Sequence, residues 1–186
     1  MTNRLLDDAV AEPLEGSAAA VPEAASPRSS RLLFVGLALI LLFVVVRLFV
    51  AEPMITQGIS MEPTLHDGDA LVVEKISAHF ESPSVGDIVV AAAPDTGQPV
   101  VKRVVAVGGD SIGIEDGVLI RNGVAVEEPY ANQDQMGGYF WGPEVVPAGA
   151  VFLLGDNRLE SHDSRAYGAV PADSISGYYL LRIWPW

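Results

Sequence analysis

The sequence of 186 residues contains no cysteine. A disulfide framework and a cysteine-ligated zinc site are both excluded. A cysteine-free chain suits an extracytoplasmic domain without requiring one. Basic residues are scarce: 11 Lys and Arg stand against 24 Asp and Glu, for a net charge of −13. Proteins that bind nucleic acid normally present a basic face to phosphate, so no nucleic-acid partner is expected. Acidity on this scale favours solubility and names no partner. Histidine is rare too. His66, His79 and His162 form no close pair with metal-ligand spacing; each reads as a surface polar residue, and neither metal nor cofactor is expected. Beyond residue 51 no long amphipathic helical pattern and no internal repeat is evident.

What is present falls into three regions. Residues 1–30 are rich in Ala, Pro, Ser and Glu without periodicity, and read as a disordered, cytoplasmic tail. From Leu32 to Ala51 the chain is apolar except for Arg47. A helix of about 20 residues rises about 30 Å, enough to cross a bilayer core. The ordinary alternative is a buried core helix, but a segment apolar on every side after a polar tail fits a membrane span better. A cleavable secretory signal fits less well, because the apolar run is long and Ala51-Glu52-Pro53-Met54 lacks a small-residue cleavage pattern. Arg47 lies near the end of the run, where its long stem can reach the headgroups. Arg28 and Arg31 precede the run, and the next basic residue after Arg47 is Lys75. The positive-inside rule then puts the N-terminus in the cytoplasm and the following domain outside the cell membrane. The expected organisation is a tail over 1–30, a span over 31–51 and an extracytoplasmic catalytic domain over 52–186.

Residues 52–186 read as mainly β. Ala70 to Val73, Asp87 to Val90, Val100 to Val107, Val151 to Leu154 and Tyr178 to Ile183 are rich in β-branched or aromatic residues. Val118 to Arg121, then Asn122-Gly123, then Val124 to Glu127 is a hairpin signal, since Asn-Gly suits a type I′ turn. The expected fold is an antiparallel sheet closed toward a barrel or sandwich.

Three segments concentrate polar chemistry. Gly58-Ile59-Ser60-Met61-Glu62-Pro63-Thr64-Leu65 sets a serine between chain-turning residues; most such loop serines only bond the backbone. Val100-Val101-Lys102-Arg103-Val104-Val105 puts two cations in an apolar strand. The ordinary reading is an outward-facing lysine. Alternation gives Lys102 the face of Val100 and Val104, and Arg103 the face of Val101 and Val105. Both faces are otherwise apolar, so at least one charge lies over a partly buried site. The third segment, Gly155-Asp156-Asn157-Arg158 through Ser161-His162-Asp163-Ser164-Arg165, is either a solvated loop or a buried network braced by bidentate Arg–carboxylate pairs.

Taken in order with Gly86-Asp87-Ile88-Val89 and Gly108-Gly109-Asp110, these segments resemble the motif boxes of bacterial type I signal peptidases. The resemblance runs from the apolar segment nearly to the C-terminus. It implies a membrane-bound serine endopeptidase that cuts signal peptides from preproteins after small residues. By motif position, Ser60 is the nucleophile and Lys102 its general base, a variant of the serine-triad logic. The resemblance also implies that Ser161 orients the Lys102 amine, while Asp156, Asp163, Arg165 and Arg103 support the site. An ordinary lysine is almost wholly charged at neutral pH. Burial must therefore oppose its charge, and Asp163 is expected to pair with Arg165 rather than with Lys102. The Ser60 N–H is the expected oxyanion donor. Some relatives add a hydroxyl two residues before the nucleophile, where this chain has Gly58. Substrate is expected to add as an extended strand, with Ile59 and the strand carrying Leu71 and Val73 as candidate pocket walls. Trp184 and Trp186 are candidates for headgroup contact. Two rivals remain open. A self-cleaving Ser-Lys repressor would be soluble and DNA-associated, which the apolar span and the acidity oppose. A tethered β-domain that only binds would need neither Ser60 nor Lys102.

Overall fold

The structure is a computed structural model and describes residues 27–131 and 136–184. Most of the expected N-terminal tail, together with Trp186 and the side chain of Trp184, lies outside the described residues. The chain divides into two compact units, residues 1–39 and 40–186.

Helix α1 (Pro27–Val45) runs on into a π-helical turn, Val46–Val50. The 21 residues Ser30–Val50 are long and apolar enough to cross a membrane. Leu32, Phe34, Leu41 and Phe49 stand exposed, as expected for a helix apolar all round and without a core to cover. Strand β1 (Ala51–Ile55) follows with no linker residue between. The junction is tied down: Lys75 N donates to Val50 O at 2.9 Å, and Lys75 Nζ lies 2.6 Å from Glu52 Oε2.

The other strands are β2 (Ala70–Glu74), β3 (Ile88–Ala92), β4 (Pro99–Val107), β5 (Ser111–Glu115), β6 (Val118–Arg121), β7 (Val124–Ala125), β8 (Trp141–Val145), β9 (Ala150–Leu154), β10 (Val170–Pro171) and β11 (Ile175–Trp184). Two short helices, α2 (Ser77–Phe80) and α3 (Ser164–Tyr167), interrupt them. One sheet has the order β1-β2-β11-β3-β4-β9-β10 and the other β7-β6-β5-β8. Every pairing is antiparallel. The mainly β, antiparallel expectation holds.

Strands β4 and β9 form the spine. Val105, Ala106, Phe152 and Leu154 pack into a core with Ile112, Ile114 and Leu119 of the small sheet. Their neighbours Val104, Val151 and Leu153 pack into a second core with Val89, Ala91 and Val170. Strands buried on both faces must be apolar at successive positions, which is why these two read as unbroken runs. The Asn122-Gly123 hairpin forms as its sequence suggests, with φ of 56° and 77° at the two turn residues; positive values at both are the type I′ signature.

Strands β1, β5, β8 and β10 are not among the strands expected from sequence. β1 carries Pro53, which an edge strand tolerates because one side of it needs no donor. β5 is broken in sequence by Gly113. A Cβ there would sit 3.2 Å from Trp141 O and 3.3 Å from Pro143 Cα, so the glycine lets β8 approach. The pattern signal was lost at the residue that makes the pairing possible.

Candidate active site

Ser60 stands in the loop between β1 and β2. The neck of that loop is closed by Thr56 N donating to Asp69 O at 2.9 Å and Gly68 N to Thr56 O at 3.0 Å. Buried Asp69 accepts from His66 N and from Arg182 Nη1. Inside the loop, Gly58 N donates to Asp67 Oδ1 at 2.7 Å. Gly58 has a φ of +82°, which a side-chain-bearing residue would adopt only with strain. This is a local reason for glycine where some relatives carry a hydroxyl. Glu62 N bonds Ile59 O, and Leu65 N bonds Met61 O, so the chain turns tightly around Ser60. Met61 and Leu65 then sink into a cluster with Leu71 and Ile88. From the opposite side Asn157 N donates to Ser60 O at 3.1 Å. The serine is thus fixed below by apolar pegs and laterally by the segment after β9.

Lys102 lies in β4, opposite Val89 of β3, and is only 4% exposed. Its Nζ donates to Ser60 Oγ at 2.7 Å. Burial pushes the pKa of Lys102 below its ordinary value, with Asp163 and then Asp156 pulling the other way. Both carboxylates are held by arginines. Asp156 takes Arg103 Nε at 2.8 Å and Nη2 at 2.7 Å. Asp163 takes Arg165 Nε and Nη2, each at 2.8 Å. Asp163 also caps α3 through Arg165 N and receives Gly155 N at 3.1 Å. The third segment is therefore a braced network, and Asp163 pairs with Arg165 as expected.

The network extends further than sequence reasoning reached. Thr64 Oγ1 donates to Asp156 Oδ2, so one carboxylate joins the loop of Ser60 to the strand of Lys102. Arg158 gives both terminal nitrogens to Glu128, at 2.6 Å each, and its Nε to Gly155 O. Sequence reasoning made no reading of Glu128. No spacing rule ties it to an arginine 30 positions on, and its burial was the only signal that could have found it.

Two expectations are corrected. Ser161 does not bond the Lys102 amine: its Oγ is buried and has no hydrogen-bond partner among the described residues. It packs instead against Gly155, where an added Cβ would come within 3.0 Å of both Ser161 Oγ and Ser60 O. The absent side chain leaves room for Ser161 and the nucleophile's carbonyl to meet. The pocket candidates also move. Leu71 and Val73 are on the inward face of β2, 0% and 3% exposed, and Leu71 packs with Met61 and Leu65. Ile59 is exposed but does not line the groove. The groove beside Ser60 and Lys102, about 520 Å³, is walled by Met54 and Ile55 of β1, by Met61 and Leu65, and by Val100 and Val101 of β4.

A serine hydroxyl bonded to a buried amine at the side of an apolar groove is the equipment of a serine peptidase that uses lysine as its base. A family model described as signal peptidase, peptidase S26, matches residues 29–184. A probable signal peptidase I-1 of Synechocystis sp. is 42% identical over 162 residues, covering 83% of this chain and 80% of that protein. A signal peptidase I of Leptolyngbya laminosa is 39% identical over 90% of this chain and 85% of its own length. A signal peptidase I of Bacillus licheniformis is 34% identical, over 78% and 83% respectively. The chain belongs to the signal peptidase family, the membrane-anchored serine endopeptidases that remove signal peptides.

Proposed function

We propose that Ser60 attacks the scissile carbonyl of a preprotein, that neutral Lys102 takes its proton, and that Asp156, Asp163, Arg103 and Arg165 hold both in place. The observation that carries this is the 2.7 Å bond between Lys102 Nζ and Ser60 Oγ, made by an amine whose charged form burial opposes. The Ser60 N–H donates to no acceptor among the described residues and supplies the oxyanion contact. The preprotein lies extended along the groove between β1 and β4. Successive side chains of a strand point to opposite sides, so the first and third residues before the cut share one face. Both are small, and the wall of Met54, Ile55 and Val101 supplies apolar contact to them. Ser161 contributes packing behind the nucleophile.

The pH profile of cleavage tests this reading. Only the neutral amine accepts the proton, and its fraction rises with pH. kcat/KM should rise along a limb centred below the ordinary lysine value of 10.5 and level off above it. Stability shifts with the same sign: between the folded and unfolded pKa the unfolded chain binds more protons, so stability also rises with pH there. A profile flat from mildly acidic to mildly alkaline pH would remove Lys102 as the base. In the same assay, a bulky residue at the first or third position before the cut should block processing, and unchanged processing would exclude a small-residue site.

The Arg28 and Arg31 flank favours a cytoplasmic N-terminus in the cell membrane, with the catalytic domain outside. Protease added to intact spheroplasts should then digest the domain, and protection of it until lysis would reverse the topology.

A further inference from the structure

Tyr130 is assigned no part in the chemistry above. The carbon at the centre of the Arg103 guanidinium lies 3.8 Å from the centroid of its ring, a stacked cation–π contact. The ring is itself anchored, because Tyr130 Oη donates to Glu128 Oε1 at 2.9 Å, and Glu128 is locked to Arg158. Burial and then the Glu128 charge push the tyrosine pKa well above its ordinary value, so the hydroxyl remains a donor. Beneath the ring, the edges of Arg103 are spent on Asp156 and on Gly86 O at 2.9 Å. Asp156 also holds Thr64, in the loop of Ser60, and Arg103 adjoins Lys102 in β4.

We propose that Tyr130 is a positioning residue for the Ser60–Lys102 pair: stacked on Arg103, it holds the Arg103–Asp156 pair in the orientation that joins the nucleophile's loop to the base's strand. This rests on the dyad reading. It has an electrostatic consequence as well as a geometric one. Asp156 favours the charged form of Lys102, and Arg103 offsets that influence while both its nitrogens face the carboxylate. An Arg103 free to tilt leaves more of the Asp156 charge to act on the amine, so less of the amine is neutral at a given pH.

If Tyr130 only fills space over β4, any apolar side chain of similar bulk will serve. Tyr130→Leu and Tyr130→Phe separate the two cases in the full-length chain, assayed on a signal-peptide substrate. Tyr130→Phe keeps the stacked ring and should stay within about threefold of wild type, since a cation–π contact needs no hydroxyl. Tyr130→Leu should lower kcat by about 10- to 100-fold, the scale of a small misplacement at a reacting centre. KM should change little, and the acid limb of the pH profile should move to higher pH. Should the leucine variant unfold, a ring-fluorinated phenylalanine at position 130 keeps the shape and weakens the ring's field; kcat should fall by about threefold or more. Wild-type kcat and an unmoved acid limb in Tyr130→Leu, or no effect of fluorination, would overturn the proposal. Cleavage that survives Ser60→Ala or Lys102→Met overturns the dyad reading itself. Inactive dyad variants beside a wild-type-like Tyr130→Leu sink only the role given to Tyr130.

Discussion

Ser60→Ala and Lys102→Met should each lower preprotein cleavage by at least about a thousandfold, as when one member of a catalytic unit is removed from a serine protease. Ser60→Ala deletes the hydroxyl proposed to be acylated, while Met61, Leu65 and the Asn157 bond still hold the loop. Lys102→Met keeps most of the side-chain volume and removes a buried amine whose one hydrogen-bond partner among the described residues is Ser60. Neither change opens a cavity or strands a charge, so thermal unfolding should shift little. The double variant should be about as impaired as either single one, because the two residues act as a unit. Lys102→Arg should fail as well, since a guanidinium keeps its proton at any accessible pH. A folded Lys102→Met variant that cleaves at the wild-type rate would end the case for the base.

The second large effect concerns stability. Arg158 and Glu128 are almost wholly buried, at 1% and 5% exposed. Replacing Arg158 with Met removes the two charge-assisted bonds that the buried Glu128 carboxylate takes from the guanidinium. Removing one member of a buried ion pair costs roughly 3–5 kcal/mol, a large part of the ordinary stability of a domain. Denaturant unfolding of Arg158→Met should show a loss of that order. Adding Glu128→Gln should recover much of it, because the amide keeps an acceptor for Tyr130 while removing the buried negative charge. If the double variant is no more stable than the single one, the loss comes from the Arg158 contact with Gly155 and not from the charge.

The parts of this molecule visible in its sequence are those governed by local rules. The apolar run from Leu32, the Asn122-Gly123 turn and the two-faced strands β4 and β9 each carry their reason within a few residues. Ser60 and Lys102 became visible through motif order, and a pair of cations inside an apolar strand said in advance that something there needed explaining. What stayed hidden depends on pairing across the chain. The burial of Glu128 goes with its pairing to Arg158, the approach of β8 with the bare backbone of Gly113, and the groove walls with the way the Ser60 loop folds over β2. Leu71 and Val73 belong to a strand near the groove, but Leu71 is covered by Met61 and Leu65 of the Ser60 loop, a contact that no local pattern announces. Ser161 illustrates a different limit. Its Oγ has no partner among the described residues, and motif position says where a side chain is and not which way its hydroxyl points.

The junction at Val50 and Ala51 bears on how this enzyme meets its substrates. The strand begins where the apolar helix ends, and the main chain of Lys75 fastens that point to the sheet. A tether with no linker residue keeps the first strand next to the end of the apolar helix. A preprotein anchored by its own apolar segment presents its cut site in the same thin layer. Their encounter becomes a search in a plane instead of a volume, with tilt and depth restricted before contact. Proteins in free solution, however suitable their sequences, rarely enter that layer. Confinement of this kind selects by where a cut site is held, before any pocket has examined a side chain.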